Sequence, residues 1–180
     1  MRIISGKFKS RVLRTPKDLP VRPTTDYAKE SLFNILNNWY YFEDLTVLDL
    51  FTGTGNISFE FASRGSQRVV AIDLNRDCLK FVESTILDLG LETVMTANRM
   101  DAQDYVELTT EKFNVIFADP PYDYEEYPKL IQTIIDRELL KEKGTLIIEH
   151  DKRHDFSGIK HFEDHRGYGN VNYSFFSLQE

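Results

Sequence analysis

Short apolar segments alternate with amphipathic helical segments along the middle of this 180-residue chain. Apolar runs flanked by turn residues predict five strands, at 47–51, 68–72, 94–97, 114–118 and 144–149. Helical periodicity predicts a helix that ends at Arg64 and two more over 75–89 and 127–140. Strands separated by helices favour a mostly parallel sheet that is covered on both faces. The sequence therefore predicts an α/β fold.

Further elements are predicted at both ends of this alternating region. Residues 159–165 and 173–178 predict two closing strands without a helix between them, so we expect an antiparallel hairpin at one edge of a seven-stranded sheet. Residues 3–14 alternate loosely around Gly6 and predict a small β-hairpin, which a proline-marked connection joins to a helix ending near Trp39. We expect one domain over 1–180, with a hairpin extension over 1–22 and a catalytic core over 23–180.

The composition argues against a membrane protein and against a disulfide or metal scaffold. Within the sequence, apolar runs stay far below the roughly 20 residues that a membrane helix requires, and the first residues lack an apolar signal-peptide core. Cys78 is the only cysteine, so we expect a cytoplasmic protein without an intrachain disulfide. His161 and His165 have metal-ligand spacing only on a helix, and a strand is predicted there, so we expect surface histidines and no metal site.

The net charge of −7 is distributed unevenly. Residues 1–22 hold seven basic side chains against Asp18 alone, a local charge of +6 that leaves −13 for the remainder. A basic segment on an acidic body can bind a polyanion locally. A solvated basic tail is the alternative, but the interleaved glycine and apolar residues favour a folded hairpin. We therefore predict a nucleic-acid partner, with contacts from Arg2, Lys7, Lys9, Arg11 and Arg14.

A glycine turn follows the first predicted strand and opens a helix, which is where doubly wound sheets bind nucleotide-like ligands. Gly53 and Gly55 permit tight backbone geometry and a close approach of the ligand. The helix start offers unpaired N–H groups to an anionic part of that ligand. Asp73 lies 20 residues beyond Gly53, at the end of the second strand, where a carboxylate can accept both ribose hydroxyls. This pattern predicts a nucleoside-containing cofactor.

Two residues distinguish S-adenosylmethionine from NAD as that cofactor. The third glycine of a dinucleotide fingerprint would fall at position 58, which is Ser58. Asp49 would repel a pyrophosphate, yet its charge suits the ammonium and sulfonium groups of S-adenosylmethionine. We also expect Asp101 and Ala102, beyond the third strand, to meet the adenine amine. The predicted cofactor site comprises Asp49, Phe51, Thr52, Gly53, Gly55, Asn56, Asp73, Leu74, Asp101, Ala102 and Asp119.

The segment Asp119-Pro120-Pro121-Tyr122 follows the fourth predicted strand and is predicted to form the catalytic loop. The two prolines fix the backbone and remove two N–H donors, so the loop presents the Asp119 carboxylate and the Pro120 carbonyl as acceptors. Two acceptors on the hydrogens of a base amine favour the electron-rich nitrogen that attacks a methyl group, and they stabilise the positive charge that develops. Tyr122 offers an aromatic face for a base that has left its stack. A rigid capped turn is the alternative.

In these residues the chain resembles the 16S ribosomal RNA guanine-N2 methyltransferases of the RsmD type. The resemblance rests on five segments, numbered 1–9, 22–34, 50–55, 63–65 and 119–122, of which the first two are the more specific. It implies a Rossmann-like class I methyltransferase fold and S-adenosylmethionine as donor, with S-adenosylhomocysteine as product. It also implies that Arg22 and Thr24 close the cofactor pocket. Tyr27 and Lys29 stand where the family often has arginines.

The resemblance further implies that the substrate is the N2 amine of one guanine in small-subunit ribosomal RNA, within an assembled or assembling subunit. An adenine-N6 methyltransferase acting on DNA or RNA is the alternative, because the same tetrad serves that chemistry. Protein glutamine methylation and an RNA chaperone with a vestigial pocket are less compatible with the basic hairpin and the intact acids. We expect a monomer.

Two further regions were considered. The aromatic residues from Trp39 to Tyr41 are predicted to be buried in the core. Residues 166–170 are compatible both with a loop that contacts RNA and with a simple hairpin turn.

Overall fold

The computed structural model describes residues 1–21 and 24–179, and the predicted site residue Arg22 lies outside these ranges. The strands are β1 Thr46–Leu50, β2 Arg68–Asp73, β3 Met95–Arg99, β4 Phe113–Ala118, β5 Leu140–His150, β6 Phe162–Tyr168 and β7 Val171–Phe176. The α-helices are α1 Asp26–Trp39, α2 Asn56–Ser63, α3 Arg76–Leu89, α4 Ala102–Leu108 and α5 Tyr127–Asp136. A short 3₁₀ helix, Phe42–Asp44, precedes β1.

The strands form one sheet in the order β3-β2-β1-β4-β5-β7-β6. Strands β1 to β5 are mutually parallel, whereas β7 runs antiparallel to both β5 and β6. The predicted α/β fold with an antiparallel closing hairpin is therefore confirmed. The strand order reverses between β1 and β4, and ligands of such sheets bind in the crevice at the carboxyl ends of the strands that flank this point. The loops after β1 and β4 meet there.

Two apolar layers cover the sheet, because successive side chains of a strand point to opposite faces. One layer joins α1, α2 and α3 to one face through buried residues such as Phe33, Phe59 and Val82. The other joins α4 and α5 to the opposite face, with Val106 and Ile131 at its centre. Across the described ranges, the structure contains no helix long and apolar enough to cross a membrane.

The structure differs from the predicted elements mainly between β3 and β5. Helix α4 was not predicted, since it has seven residues and buries only Ala102 and Val106, which is too few for a periodic signal. Helix α5 ends at Asp136 instead of residue 140, and β5 already begins at Leu140. The pairing of β5 with β4 shifts register after Phe113, which lets the longer strand continue past Lys143, whose φ is +60°.

The amino-terminal segment pairs antiparallel, as a hairpin does, but through a single β-bridge between Arg2 and Val12. Two backbone bonds flank this bridge, from Ile3 N to the Arg11 carbonyl (2.9 Å) and from Leu13 N to the Met1 carbonyl (2.8 Å). Ile3 and Leu13 are buried in the layer around α1 and α2. The segment, which we call the arm (residues 1–14), is thus packed onto the core.

The expectation that the aromatic residues at the end of α1 are core is wrong for two of the three. Trp39 is 47% exposed and Tyr41 is 77% exposed, although Trp39 still makes an edge-to-face contact with Phe175 at 5.5 Å. Tyr40 is half-buried and its hydroxyl donates to the Lys143 carbonyl at 2.7 Å. Helix α1 ends at Trp39, so these residues no longer follow its buried stripe.

Candidate active site

The turn after β1 has a backbone that few residue types can adopt. Phe51, Gly53 and Gly55 have φ values of +59°, +57° and +82°, in the left-handed region. A Cβ on Gly55 would lie 2.7 Å from the Phe59 ring, so only glycine fits at the start of α2. The turn is fixed at its base by a bond from Thr52 N to the Ile72 carbonyl (2.9 Å). The predicted glycine cradle is therefore present beside the carboxyl end of β2.

Asp49 lies directly beneath this turn and is 1% exposed. Its Oδ2 accepts hydrogen bonds from the hydroxyls of Thr52 (2.7 Å) and Ser58 (2.6 Å). Burial raises the pKa of the Asp49 carboxyl to about 7, an effect that the two hydroxyls counter and the nearby Asp73 reinforces. A positive charge bound at the turn would favour its ionised form. Ser58 stands at the position where a dinucleotide fingerprint has its third glycine. Its hydroxyl is a hydrogen-bond partner of Asp49.

Asp73 connects the turn to the next helix. Its Oδ2 accepts from Gly53 N and its Oδ1 from Asn75 N, each at 2.8 Å. The carboxylate is half-buried at the end of β2, and each oxygen keeps a second lone pair that can accept from a ribose hydroxyl. The neighbouring Leu74 is 56% exposed, and its carbonyl accepts from Arg99 Nε at 3.0 Å. These positions fit the ribose end of a nucleoside cofactor.

Asp101 and Ala102 lie at the start of α4, on the far side of the crevice. Asp101 caps the helix by accepting from Asp104 N at 3.0 Å, and Ala102 is buried. Tyr124 connects this region to the turn, since its ring meets the Phe51 ring edge to face at 5.2 Å. Burial, with a smaller contribution from the Asp101 charge, raises the pKa of Tyr124 to about 12. Sequence reasoning missed Tyr124, because a tyrosine in a loop carries no spacing signal.

The loop Asp119–Tyr122, which the sequence predicts to be catalytic, follows the carboxyl end of β4. Asp119 is half-buried and Pro120 is buried, whereas Pro121 and Tyr122 are exposed. The Pro121 carbonyl accepts from Tyr124 N at 2.9 Å, which closes the loop into a turn. The first two residues of the loop are therefore shielded from solvent, whereas the Tyr122 side chain is exposed.

Arg153 packs against the outer side of this loop. Its guanidinium carbon lies 4.2 Å from the centre of the Tyr122 ring, within cation–π distance. Its Nε (2.9 Å) and Nη2 (2.6 Å) both donate to Asp151 Oδ2, and these bonds hold the pKa of Asp151 well below its usual range. This contact, which the sequence did not suggest, orients the ring that is proposed to stack on a base.

A pocket opens between the catalytic loop and the ends of β5 and β7. Its lining residues are Asp119, Pro120, Tyr122, Tyr127, Glu149, His150, Asp151, Asn170 and Val171. The register of β4 and β5 pairs Ala118 with Ile148, so Asp119 and Glu149 follow side by side. Thr24, a predicted pocket residue, contacts both Glu149 carboxylate oxygens at 3.5 Å through its hydroxyl. Glu149 was missed, although it ends an apolar strand as Asp119 does.

A buried tyrosine lies on the strand next to Glu149. Tyr173 is the partner of Glu149 across β5 and β7 and is fully buried. Within the described part of the chain its hydroxyl has no hydrogen-bond partner. Burial raises its pKa far above the usual range, and the charges of Glu149 and Asp119 add to this effect. The hydroxyl is therefore a neutral donor beside two carboxylates.

The histidines at the carboxyl end of the chain depart from the expected surface placement at one position. His150 is 6% exposed, and its ring nitrogens contact the Asp151 carbonyl (2.8 Å) and the Ser174 hydroxyl (2.7 Å). Burial lowers its pKa. Among the described residues, the structure brings together no group of acidic, histidine and cysteine side chains able to hold a metal ion. Cys78 is buried on α3, and burial raises its pKa to about 11.

The backbone of the arm is attached to α2 by a buried acid. Glu60 is fully buried, and its carboxylate accepts from Ile4 N (2.9 Å) and Ser5 N (3.1 Å). The same carboxylate pairs with Lys29 at 3.3 Å and with Arg64 at 3.0 Å. Gly6 continues the contact, since a Cβ there would lie 2.0 Å from the Ser63 carbonyl oxygen. These contacts hold the arm against the middle and the carboxyl end of α2.

Lys29 joins this network to the predicted cofactor site. Its ammonium group donates to the Arg2 carbonyl (2.7 Å) and to Asn56 Oδ1 (2.8 Å), at the first residue of α2. Burial lowers the pKa of Lys29, while the Glu60 carboxylate counters that effect. A lysine is 1% exposed here because three acceptors satisfy it. Asn56 therefore contacts the arm network, and its predicted cofactor contact stays a prediction.

The basic side chains of the arm are exposed to solvent, unlike the buried Ile3 and Leu13. The five predicted nucleic-acid contacts are all exposed, and they are Arg2, Lys7, Lys9, Arg11 and Arg14. Arg2 pairs with Asp26 at 3.1 Å, and the Lys7 ammonium lies 5.4 Å from the Phe8 ring. The arm thus presents cations to solvent from a fixed backbone.

Two solved structures share the fold of this chain. The structure described as "Putative methyltransferase yhhF from Escherichia coli" has a TM-score of 0.85 at 24% identity and covers 98% of this chain and 96% of that one. An RNA methyltransferase from Salinibacter ruber, solved in complex with S-adenosyl-L-homocysteine, has a TM-score of 0.69 at 16% identity, covering 88% and 95%. The fold is that of class I methyltransferases.

Sequence comparison then gives the family. The family described as "Conserved hypothetical protein 95" matches residues 1–177. "Putative rRNA methyltransferase YlbH" of Bacillus subtilis is 34% identical over 155 residues, 84% of this chain and 83% of that protein. "Ribosomal RNA small subunit methyltransferase D" of Escherichia coli is 27% identical over 149 residues, 83% and 74%. The chain belongs to this family of RsmD-type methyltransferases, and the predicted S-adenosylmethionine cofactor is confirmed.

Proposed function

We propose that this protein transfers a methyl group from S-adenosylmethionine to the N2 amine of a guanine in small-subunit ribosomal RNA. The observation that carries the proposal is the position of Asp119 and Pro120. They form an acceptor-lined rim at the end of β4, next to the glycine turn after β1, where the strand order reverses. Ribosomal RNA methylation accords with the names of the relatives, and the N2 position rests on the family resemblance.

The cofactor would lie across the ends of β1, β2 and β3, and it supplies a methyl group on a positively charged sulfur. The Asp73 carboxylate would accept from the ribose hydroxyls, while the turn at Gly53 and Gly55 allows the ligand close to the backbone. Asp49 would balance the positive charge from beneath the turn. Asp101 and Ala102 would border the adenine, and Thr24 would close the pocket beside Glu149.

The target amine would lie at the rim. The Asp119 carboxylate and the Pro120 carbonyl would accept its two hydrogens and favour a nitrogen lone pair directed at the methyl group. Both acceptors would also stabilise the positive charge that develops on nitrogen as the nitrogen–methyl bond forms and the methyl–sulfur bond breaks. The nitrogen would then lose one hydrogen as a proton to the Asp119 carboxylate, which can pass it to solvent. Tyr122, with its ring held by Arg153, would stack on the flipped base. The fixed arm would hold the RNA backbone, and we propose a cytoplasmic monomer acting on an assembled or assembling subunit.

The substrate is tested by incubating the protein with labelled S-adenosylmethionine and one of three acceptors: undermethylated small subunits, bare ribosomal RNA, or DNA. Digestion to nucleosides and chromatography identify the product. We expect N2-methylguanosine from small subunits or their RNA. N6-methyladenine, or label found only in protein, would contradict the proposal.

The role of Asp119 is tested by Asp119→Ala. We expect turnover to fall by roughly 10²- to 10³-fold, as for the loss of one preorganised group at a reacting centre. Donor affinity, measured by calorimetry, should stay within a few-fold of the wild type. The control is Asp123→Ala, which removes an exposed aspartate from the same loop and should leave turnover unchanged. A collapse of donor affinity with normal turnover per bound donor would instead make Asp119 a cofactor residue.

A further inference from the structure

Two tyrosines form an aromatic surface outside the pocket, between α1 and the turn that joins β6 to β7. Tyr27 is 65% exposed in the first turn of α1. Its ring meets that of Tyr168 at 5.8 Å with an interplanar angle of 83°, an edge-to-face contact. Tyr168 in turn packs on the buried Tyr173 at 6.0 Å. Tyr27 and Tyr168, which we call the tyrosine platform, are therefore supported from the core while one ring remains open to solvent.

The tyrosine platform lies between the arm and the pocket. On one side, Asp26 precedes Tyr27 and pairs with Arg2 of the arm at 3.1 Å. On the other, Asn170 and Val171 follow Tyr168 and line the same pocket as Asp119. Thr24, three residues before Tyr27 and outside the helix, contacts Glu149 in that pocket at 3.5 Å. An RNA chain that extended from the cations of the arm to the Asp119 loop would pass over Tyr27.

The chemistry of this surface selects its ligand. A neutral aromatic ring next to the arm, whose cations are exposed, suits a ligand that has both a flat π-face and a negative charge, which is the chemistry of a nucleotide. Bases stack on aromatic side chains irrespective of sequence, because every base has a π-face. A duplex would keep its bases paired and hidden, so an unpaired segment of RNA fits better than a helix.

We propose that the tyrosine platform stacks an unpaired base of the RNA that flanks the target guanine. This inference rests on the proposed function, since it takes the flanking RNA to be part of that substrate. The platform would place the flanking nucleotide while the arm holds its phosphates and the rim holds the target. Tyr27 is then a binding residue for the substrate, without a part in methyl transfer.

The test compares Tyr27→Ala with Tyr27→Phe. The first measurement is the affinity for a short, fluorescently labelled single-stranded RNA without donor. Loss of one stacked base by alanine substitution should weaken binding by about 5- to 100-fold, and the phenylalanine variant should bind like the wild type. Because tyrosine is uncharged, the slope of log K against log salt should stay unchanged in both variants. Tyr27→Ala should also raise KM for undermethylated small subunits and leave kcat unaltered, whereas Tyr27→Phe should match the wild type in both constants.

The matched control is Tyr41→Ala, which removes another exposed tyrosine beyond the opposite end of α1 and should not change RNA affinity. Equal affinities of Tyr27→Ala and the wild type would overturn the proposal, as would a wild type that does not bind the oligonucleotide. An equal loss in Tyr27→Phe would point to the hydroxyl instead and would also overturn it. If the wild type methylates ribosomal RNA while Tyr27→Ala binds normally, the platform fails and the proposed function stands. If the wild type methylates no ribosomal RNA, the proposed function itself fails.

Discussion

Asp49 in β1 and Glu60 in α2 are two buried carboxylates that differ in their partners. Glu60 is paired with Lys29 and Arg64 and accepts from two backbone N–H groups of the arm. Asp49 accepts from two neutral hydroxyls beneath the glycine turn, and burial raises its pKa to about 7. Both acids lie in the same apolar layer, so burial alone does not distinguish them.

From this difference we infer that Glu60 stabilises the fold and that Asp49 is suited to bind a cationic ligand. The charge of Glu60 is compensated inside the protein, and its removal would leave two backbone N–H groups without this acceptor and the buried Lys29 without its paired carboxylate. The two hydroxyls that donate to Asp49 carry no charge. A cationic ligand at the turn would therefore compensate the charge of the Asp49 carboxylate. Burying an ionised carboxylate without a paired cation costs free energy. Carboxylates whose pKa is shifted by burial are common at functional sites.

The largest effect on stability is expected from Glu60→Ala. Removing one partner of a buried ion pair leaves the other uncompensated, so we expect the free energy of unfolding to fall by about 3–5 kcal/mol. Urea unfolding measures this loss, and limited proteolysis should show release of the arm. The control Glu30→Ala, at an exposed position of α1, should change stability by less than about 0.5 kcal/mol. An intact arm and unchanged stability would show that Glu60 is not the anchor.

The second effect is a pH dependence that Asp49→Asn removes. Because the folded-state pKa is raised, the folded protein keeps a proton that the unfolded chain has lost between about pH 4 and 7. Stability due to Asp49 is therefore present below pH 4 and decreases through this window by about 1.4 kcal/mol per pH unit. The difference in unfolding free energy between Asp49→Asn and the wild type should grow from pH 4 to 7 and then level off.

The same Asp49→Asn variant separates the two acids by ligand binding. We expect its affinity for S-adenosylmethionine to fall at pH 8, since the donor loses a compensating carboxylate, whereas Glu30→Ala should bind like the wild type. Parallel pH curves of stability for Asp49→Asn and the wild type, together with equal donor affinities, would remove the distinction between Asp49 and Glu60.

The smallest effect on stability is expected from changing Lys7, Lys9 and Arg11 to Ala together. Their side chains are exposed while Glu60 holds the backbone, so unfolding free energies should remain close to the wild type. RNA binding should weaken, and the slope of log K against log salt should fall by about 2–3 if three phosphate contacts are lost. An unchanged salt slope would exclude these three residues as the RNA anchor.

Much of the candidate site could be predicted because local chemistry defines it. The turn at Gly53 and Gly55, Asp73 at a strand end and the Asp119 loop each combine a buried strand with residues whose backbone or charge is distinctive. Glu149 and Tyr173 could not be predicted, because their place beside Asp119 depends on the order β4-β5-β7 and on its register. Arg153 depends on a contact with Tyr122 across 31 positions of the chain.

The sequence by itself determined the alternating strands and helices, the glycine turn, the Asp-Pro-Pro-Tyr loop and the charge of the arm. These follow from hydrophobic periodicity, backbone restriction and net charge, which act over a few residues. Tertiary structure alone decided that the arm is anchored through Glu60, that Ser58 supports Asp49, and that Tyr27 meets Tyr168. Such contacts join distant segments, and their stability comes from excluding water around groups that are far apart in sequence or that only a folded turn brings together.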